Sequence, residues 1–88
     1  VNVGAESIGE NKVEIFPNPT RGSFKVQLDE GYDFVNIHIY NTAGKLILNK
    51  YYKNNAEMKL NLKDQPSGVY FINILYDNKS VSKKIILK

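Results

Sequence analysis

The sequence contains no cysteine and a single histidine among 88 residues. Without thiols there is no disulfide framework, no thiolate metal site and no cysteine nucleophile, so stability must come from packing alone. This leaves the compartment open, because an exported protein need not contain cysteine. Long apolar runs are missing as well. Val69-Tyr70-Phe71-Ile72 falls far short of the ~20 residues of a membrane span, and no charged segment followed by an apolar stretch opens the chain. Charge of one sign is scarce too: twelve Lys and Arg against nine Asp and Glu leave a net charge of +3, too small an excess to imply a nucleic-acid partner. No stretch keeps a helical period, and the length allows one domain without room for both a core and a deep cleft.

What is present is the composition of a folding chain, with 42% hydrophobic, 11% aromatic and 24% charged residues. Val1 to Lys12 mixes Gly4, Ser7 and Gly9 with polar residues and scattered aliphatics, and reads as a linker in which Ile8 could dock as an isolated anchor. Opening at Val1 rather than Met, the sequence reads as a piece of a longer protein. From Val13 onward, short extended runs are separated by turn signals roughly every 8 to 12 residues, as in a sandwich or barrel.

Seven strands are expected. Val13 to Phe16 is the first, closed by Pro17. In Phe16-Pro17-Asn18-Pro19-Thr20-Arg21-Gly22 two prolines fix φ and remove two donors, and Gly22 can take φ > 0, so the chain turns rigidly before the next strand. Ser23 to Leu28 places Phe24, Val26 and Leu28 on one face, and Asp29 to Asp33 is expected to turn. Phe34 to Tyr40 follows, with Val35, Ile37 and Ile39 on one face and Asn36, His38 and Tyr40 on the other. Asn41-Thr42-Ala43-Gly44 is a hairpin signal. Lys45 to Tyr52 is expected to turn Leu46 and Leu48 inward, and Met58, Leu60 and Leu62 alternate in the fifth strand. After the turn Asp64 to Gly68, the nearly all-apolar run Val69 to Tyr76 is expected at a sheet centre with both faces contacted and Tyr70, Ile72 and Ile74 inward. Asp77-Asn78-Lys79 makes the last tight hairpin, and Ser80 to Leu87 is the seventh strand. The fold class is all-β, an antiparallel sandwich.

Residues that might carry chemistry are few. His38 has no evident partner and reads as exposed and passive. Asp29, Glu30 and Asp33 offer oxygen ligands, but in a spacing that matches no calcium loop, so a solvated turn is the better reading. None of the serines lies in a nucleophile elbow. No catalytic residue, cofactor site or metal site is assigned. Asn78-Lys79-Ser80 fits a glycosylation acceptor and equally a plain turn. Lys79, Lys83, Lys84 and Lys88 make the last hairpin basic, either to protect an edge strand or to dock a partner. Tyr40, Tyr51 and Tyr52 with Phe34 offer an aromatic patch for sugar or protein, or cross-strand packing.

Three signals in order resemble one family. Phe16-Pro17-Asn18-Pro19-Thr20-Arg21-Gly22-Ser23-Phe24 looks like the aromatic-PNP-x-x-G-x-F opening of the type A C-terminal sorting domains of type IX secretion in Bacteroidota. Val35 to Lys45 resembles their central strand, ending in a turn with Asn41 and Gly44. Pro66-Ser67-Gly68-Val69-Tyr70, continuing through Ile74, and Ser82 to Lys88 resemble the closing G-x-Y strand and basic last strand. The likeness covers residues 13–88. It implies an immunoglobulin-like sandwich of seven strands carried by a secreted enzyme or adhesin. Its implied partners are the outer-membrane translocon and a shuttle protein, and a sortase removes the domain by cleavage in or before residues 1–12. It implies export through the periplasm to the medium or the cell surface. Gly68, Tyr70, Ile72 and Ile74 with Lys83, Lys84 and Lys88 would be the recognition residues, while Pro17, Asn18, Pro19, Gly22, Phe24 and Gly44 carry the structural motif. The alternatives are an immunoglobulin-like or fibronectin-like accessory module binding carbohydrate or protein, and a weak dimer formed through edge strands.

Overall fold

A computed structural model describes residues 13–88, so the expected linker with its cleavage point lies outside the described residues. Strands that alternate apolar and polar residues have one face to hide, and two sheets facing each other hide both. The chain forms β1 (Val13–Phe16), β2 (Ser23–Tyr32), β3 (Val35–Asn41), β4 (Leu46–Tyr52), β5 (Asn55–Asn61), β6 (Gly68–Tyr76) and β7 (Lys79–Leu87). One sheet has the order β1-β2-β5 and the other β4-β3-β6-β7, with every neighbouring pair antiparallel. No helix occurs among the described residues. The result is an all-β, immunoglobulin-like antiparallel sandwich of seven strands.

The alternation read from the sequence sets the core. Phe24, Val26 and Leu28 of β2 face inward with Met58 and Leu60 of β5, Val35, Ile37 and Ile39 of β3, and Tyr70, Ile72 and Ile74 of β6, all of them buried. Val26 pairs with Ile15 on one side and Met58 on the other, and Ile39 pairs with Ile72 and Leu48. Each such side chain contributes about 1.5–3 kcal/mol when fully removed from water.

Six expectations are corrected. Asp29 to Asp33 is not the turn, because β2 continues through it to Tyr32 past a bulge after Gln27. The reason is Tyr32, which is buried and lies 4.7 Å from the Tyr76 ring. Its hydroxyl donates to Asp29 at 2.7 Å, and its carbonyl accepts from Asn54. That hydrogen bond, together with burial, raises the phenol well above its ordinary pKa. Phe34 accordingly precedes β3 instead of opening it, and β3 runs on to Asn41.

Leu46 and Leu48 do not share a face. The register of β3 on β4 slips between Ile39 and Tyr40, so Leu48 pairs with Ile39 inside while Leu46 pairs with Tyr40 outside and is 44% exposed. The fifth strand begins earlier than expected, at Asn55, because Asn54 makes the turn with φ at 55°. Tyr52 pairs with Val35 and packs on the core, so it leaves the aromatic patch. Finally, β6 is central between β3 and β7, yet among the described residues only its inner face is covered. Val69 and Phe71 stand exposed on the other side.

The hairpin turns follow the expected chemistry. Asn41 Oδ1 accepts from the amides of Ala43 and Lys45, and Gly44 sits at φ 85° with its amide bonded to Asn41. Asp77 and Asn78 both have positive φ, as a two-residue hairpin loop requires.

Candidate functional site

Two stretches that stand far apart in the sequence meet at one edge of the sandwich. β7 pairs with β6 along its whole length, which turns alternate backbone groups of β7 toward the open side. At the C-terminal half of the strand those groups are taken. The side chain of Asn18 donates to the carbonyl of Lys84 at 2.8 Å and accepts from the amide of Ile86 at 3.1 Å. Thr20 continues the pairing: its amide donates to the Ile86 carbonyl and its carbonyl accepts from the Lys88 amide, both at 2.8 Å. The proline-rich turn therefore acts as a short parallel strand, bridging Thr20 to Leu87.

Thr20 is held from within. It is buried to 1% exposure, its hydroxyl donates to the Ser23 carbonyl at 2.7 Å and accepts from the Gly22 amide at 3.0 Å. The sequence reading placed the turn in a local role and missed both Asn18 as a clamp and Thr20 as a buried anchor. A polar residue between Pro19 and Arg21 carries no pattern that would announce burial. The latch covers Lys84 to Lys88 only. By the same alternation the backbone of Ser80 and Ser82 also faces the open side, and among the described residues nothing bonds to it there.

The seven residues expected to carry recognition divide by burial. Ile72 and Ile74 are fully buried, and Tyr70 is 4% exposed with its hydroxyl bonded to the Pro66 carbonyl, which ties the incoming turn to β6. Such a tyrosine, bonding back to upstream backbone, is a fixture of immunoglobulin-type sandwiches. Gly68 opens β6 at φ 150° and pairs with Leu87. Lys83 faces inward opposite Ile72 and is half-buried at the sheet margin, whereas Lys84, opposite Phe71, and Lys88 are exposed. The surface these strands offer is thus carried by Lys84 and Lys88 with Val69, Phe71 and Ile86, which alternate with the buried set.

The aromatic patch is also rearranged. Phe34 stacks on Tyr51 with ring centroids 6.1 Å apart, while Tyr40 is half-buried and neighbours His38 at 6.2 Å. The acidic stretch gives Asp29 to Tyr32, and no group of three or more metal-binding side chains comes together among the described residues. Asn78 is exposed in its turn. No helix of the described residues is long and apolar enough to cross a membrane.

An immunoglobulin-like sandwich whose proline-rich first turn is stitched to a basic last strand defines the class of protein. A family model described as a secretion system C-terminal sorting domain matches residues 14–88, and the chain belongs to that family, the sorting domains of type IX secretion. A search of curated proteins finds no match. Membership implies export across the outer membrane and contact with the secretion machinery, and the family is one of sorting signals, not of enzymes.

Proposed function

We propose that this domain directs an upstream cargo through the type IX outer-membrane translocon, escorted by a shuttle protein, and that a sortase-like peptidase then removes it within or before residues 1–12. The observation that carries this reading is the family match over residues 14–88, which spans the whole sandwich from β1 to the end of β7. The cargo passes through the periplasm and ends in the medium or on the cell surface. Recognition rests on β6 and β7. In them Tyr70, Ile72 and Ile74 hold the shape, and Gly68 opens the strand. Lys83, Lys84 and Lys88 supply the charge.

The test is a secreted reporter fused ahead of the chain in a host with this secretion system. The fusion reaches the medium, and deletion of Lys79–Lys88 abolishes its export. Undiminished export of the deletion sinks the proposal. The accessory-module alternative now rests on the Phe34–Tyr51 pair alone, since Tyr52 packs inward. Glycan binding lost on Tyr51→Ala would favour it.

A further inference from the structure

The two sheets differ in the charge and polarity they turn outward. Strands β3, β4, β6 and β7 contain no Asp or Glu, and of their four lysines only Lys84 is on the outward register, since Lys50, Lys79 and Lys83 stand opposite the buried Ile37, Tyr76 and Ile72. Strands β1, β2 and β5 carry Glu14, Asp29, Glu30 and Glu57 against Lys25 and Lys59, and Lys25 is bound to Glu57 at 2.7 Å. Apolar exposure is segregated in the same way. Apart from Phe16, the exposed large apolar side chains of the described residues gather on the outer face of the four-stranded sheet, as Leu46, Tyr51, Val69, Phe71 and Ile86, with Phe34 stacked on Tyr51 just ahead of β3.

The register gathers most of them at one end. Leu46, Tyr40, Phe71 and Lys84 form a row across all four strands, and Val69 beside Ile86 forms the next row. Phe71 stands at the centre with 46% exposure. Exposed apolar side chains gathered on one face beside the exposed Lys84 and Lys88 are the composition of an interaction site with a polar rim. We infer that this face, centred on Phe71, is the surface on which the secretion machinery docks, and that the partner is a protein presenting an apolar patch rimmed by carboxylates opposite Lys84 and Lys88. The inference rests on the sorting role proposed above and names the face and chemistry of its recognition.

Charge complementarity selects this occupant. A second copy of the same face would set lysine against lysine, which disfavours self-association. A lipid surface would also meet the lysines and the apolar rows, but a polar row, His38 and Asn73 with the Ser80 and Ser82 hydroxyls bonded to Asn73, crosses the middle of the face, and burying it costs less against a protein than against acyl chains.

The experiment uses the reporter fusion of the whole chain in a type IX host. Phe71→Ser with Ile86→Thr, and separately Lys84→Glu, should lower export at least tenfold, with thermal melts of the purified chain close to that of the parent. Lys59→Glu on the opposite sheet should export normally. A photo-crosslinking residue at position 71, but not at position 59, should capture a component of the secretion machinery. Normal export of folded Phe71→Ser/Ile86→Thr overturns the inference while leaving the sorting role intact, and failure of the parent fusion to export overturns both. Two further results also overturn it. One is cosedimentation with phosphatidylglycerol vesicles that the double variant loses, in the absence of a protein crosslink. The other is a dimer in sedimentation that the same variant abolishes.

Discussion

Gly22 stands at φ 149°, and a Cβ there would lie 3.1 Å from both Asn61 Oδ1 and Lys63 Cβ. Strain and crowding act together, so Gly22→Ala should lower unfolding free energy in urea by about 1–3 kcal/mol. At Gly44, φ is 85° but nothing lies within 4 Å, so Gly44→Ala costs only left-handed strain, about 1 kcal/mol. Equal losses at the two sites would show that the crowding is relieved at no cost. The tyrosines govern the alkaline limit. The Asp29 hydrogen bond raises Tyr32, and burial raises Tyr76 and Tyr52. A raised folded pKa gives stability that is complete below the unfolded value of about 10 and lost as pH rises through the folded one. Melting temperature should therefore hold from pH 8 to about 10 and then fall, and Tyr32→Phe should flatten the fall. An identical decline in the variant would remove Tyr32 from the account.

Among the elements, β7 has two different edges in one strand. Its C-terminal half is closed by Asn18 and Thr20, and Asn18→Ala should cost about 1–2 kcal/mol for the two bonds lost, with faster hydrogen exchange at the Ile86 amide. Unchanged exchange there would mean that the latch is not formed in solution. The middle of the strand is guarded by Lys83, an inward charge at the margin that deters another strand from adding. Lys83→Val should leave the melt unchanged or raise it, and should bring concentration-dependent association in light scattering. A monomer at all concentrations would deny Lys83 this role. The strands themselves were legible because period-2 patterning survives wherever one face is buried, as in Met58 to Leu62. The bulges were not: nothing in Leu46-Ile47-Leu48 says which residue is extra, since all three are apolar and only pairing with Ile39 and Tyr40 decides. Tyr32 was misread for a related reason, because Asp29-Glu30-Gly31 is spelled like a turn while a distant ring, Tyr76, holds it extended.

For the whole molecule, the outlook from sequence was good for the fold and partial for the site. The motifs at the two ends were visible one by one, but their meeting depends on sheet order, which no local pattern encodes. The same holds for the outer face. Val69 and Phe71 lie in a run apolar on both sides, and only the arrangement of four strands shows that the described residues leave one side uncovered.

The latch also bears on the order in which the chain is made. A domain generally folds as a unit while the chain emerges from its amino end, and Thr20 cannot complete its pairing until Ile86 and Lys88 exist. A chain halted before Ile86 leaves the first turn without its seat and β6 with part of its margin open. The closed latch is therefore a state open only to chains extended at least to Lys88.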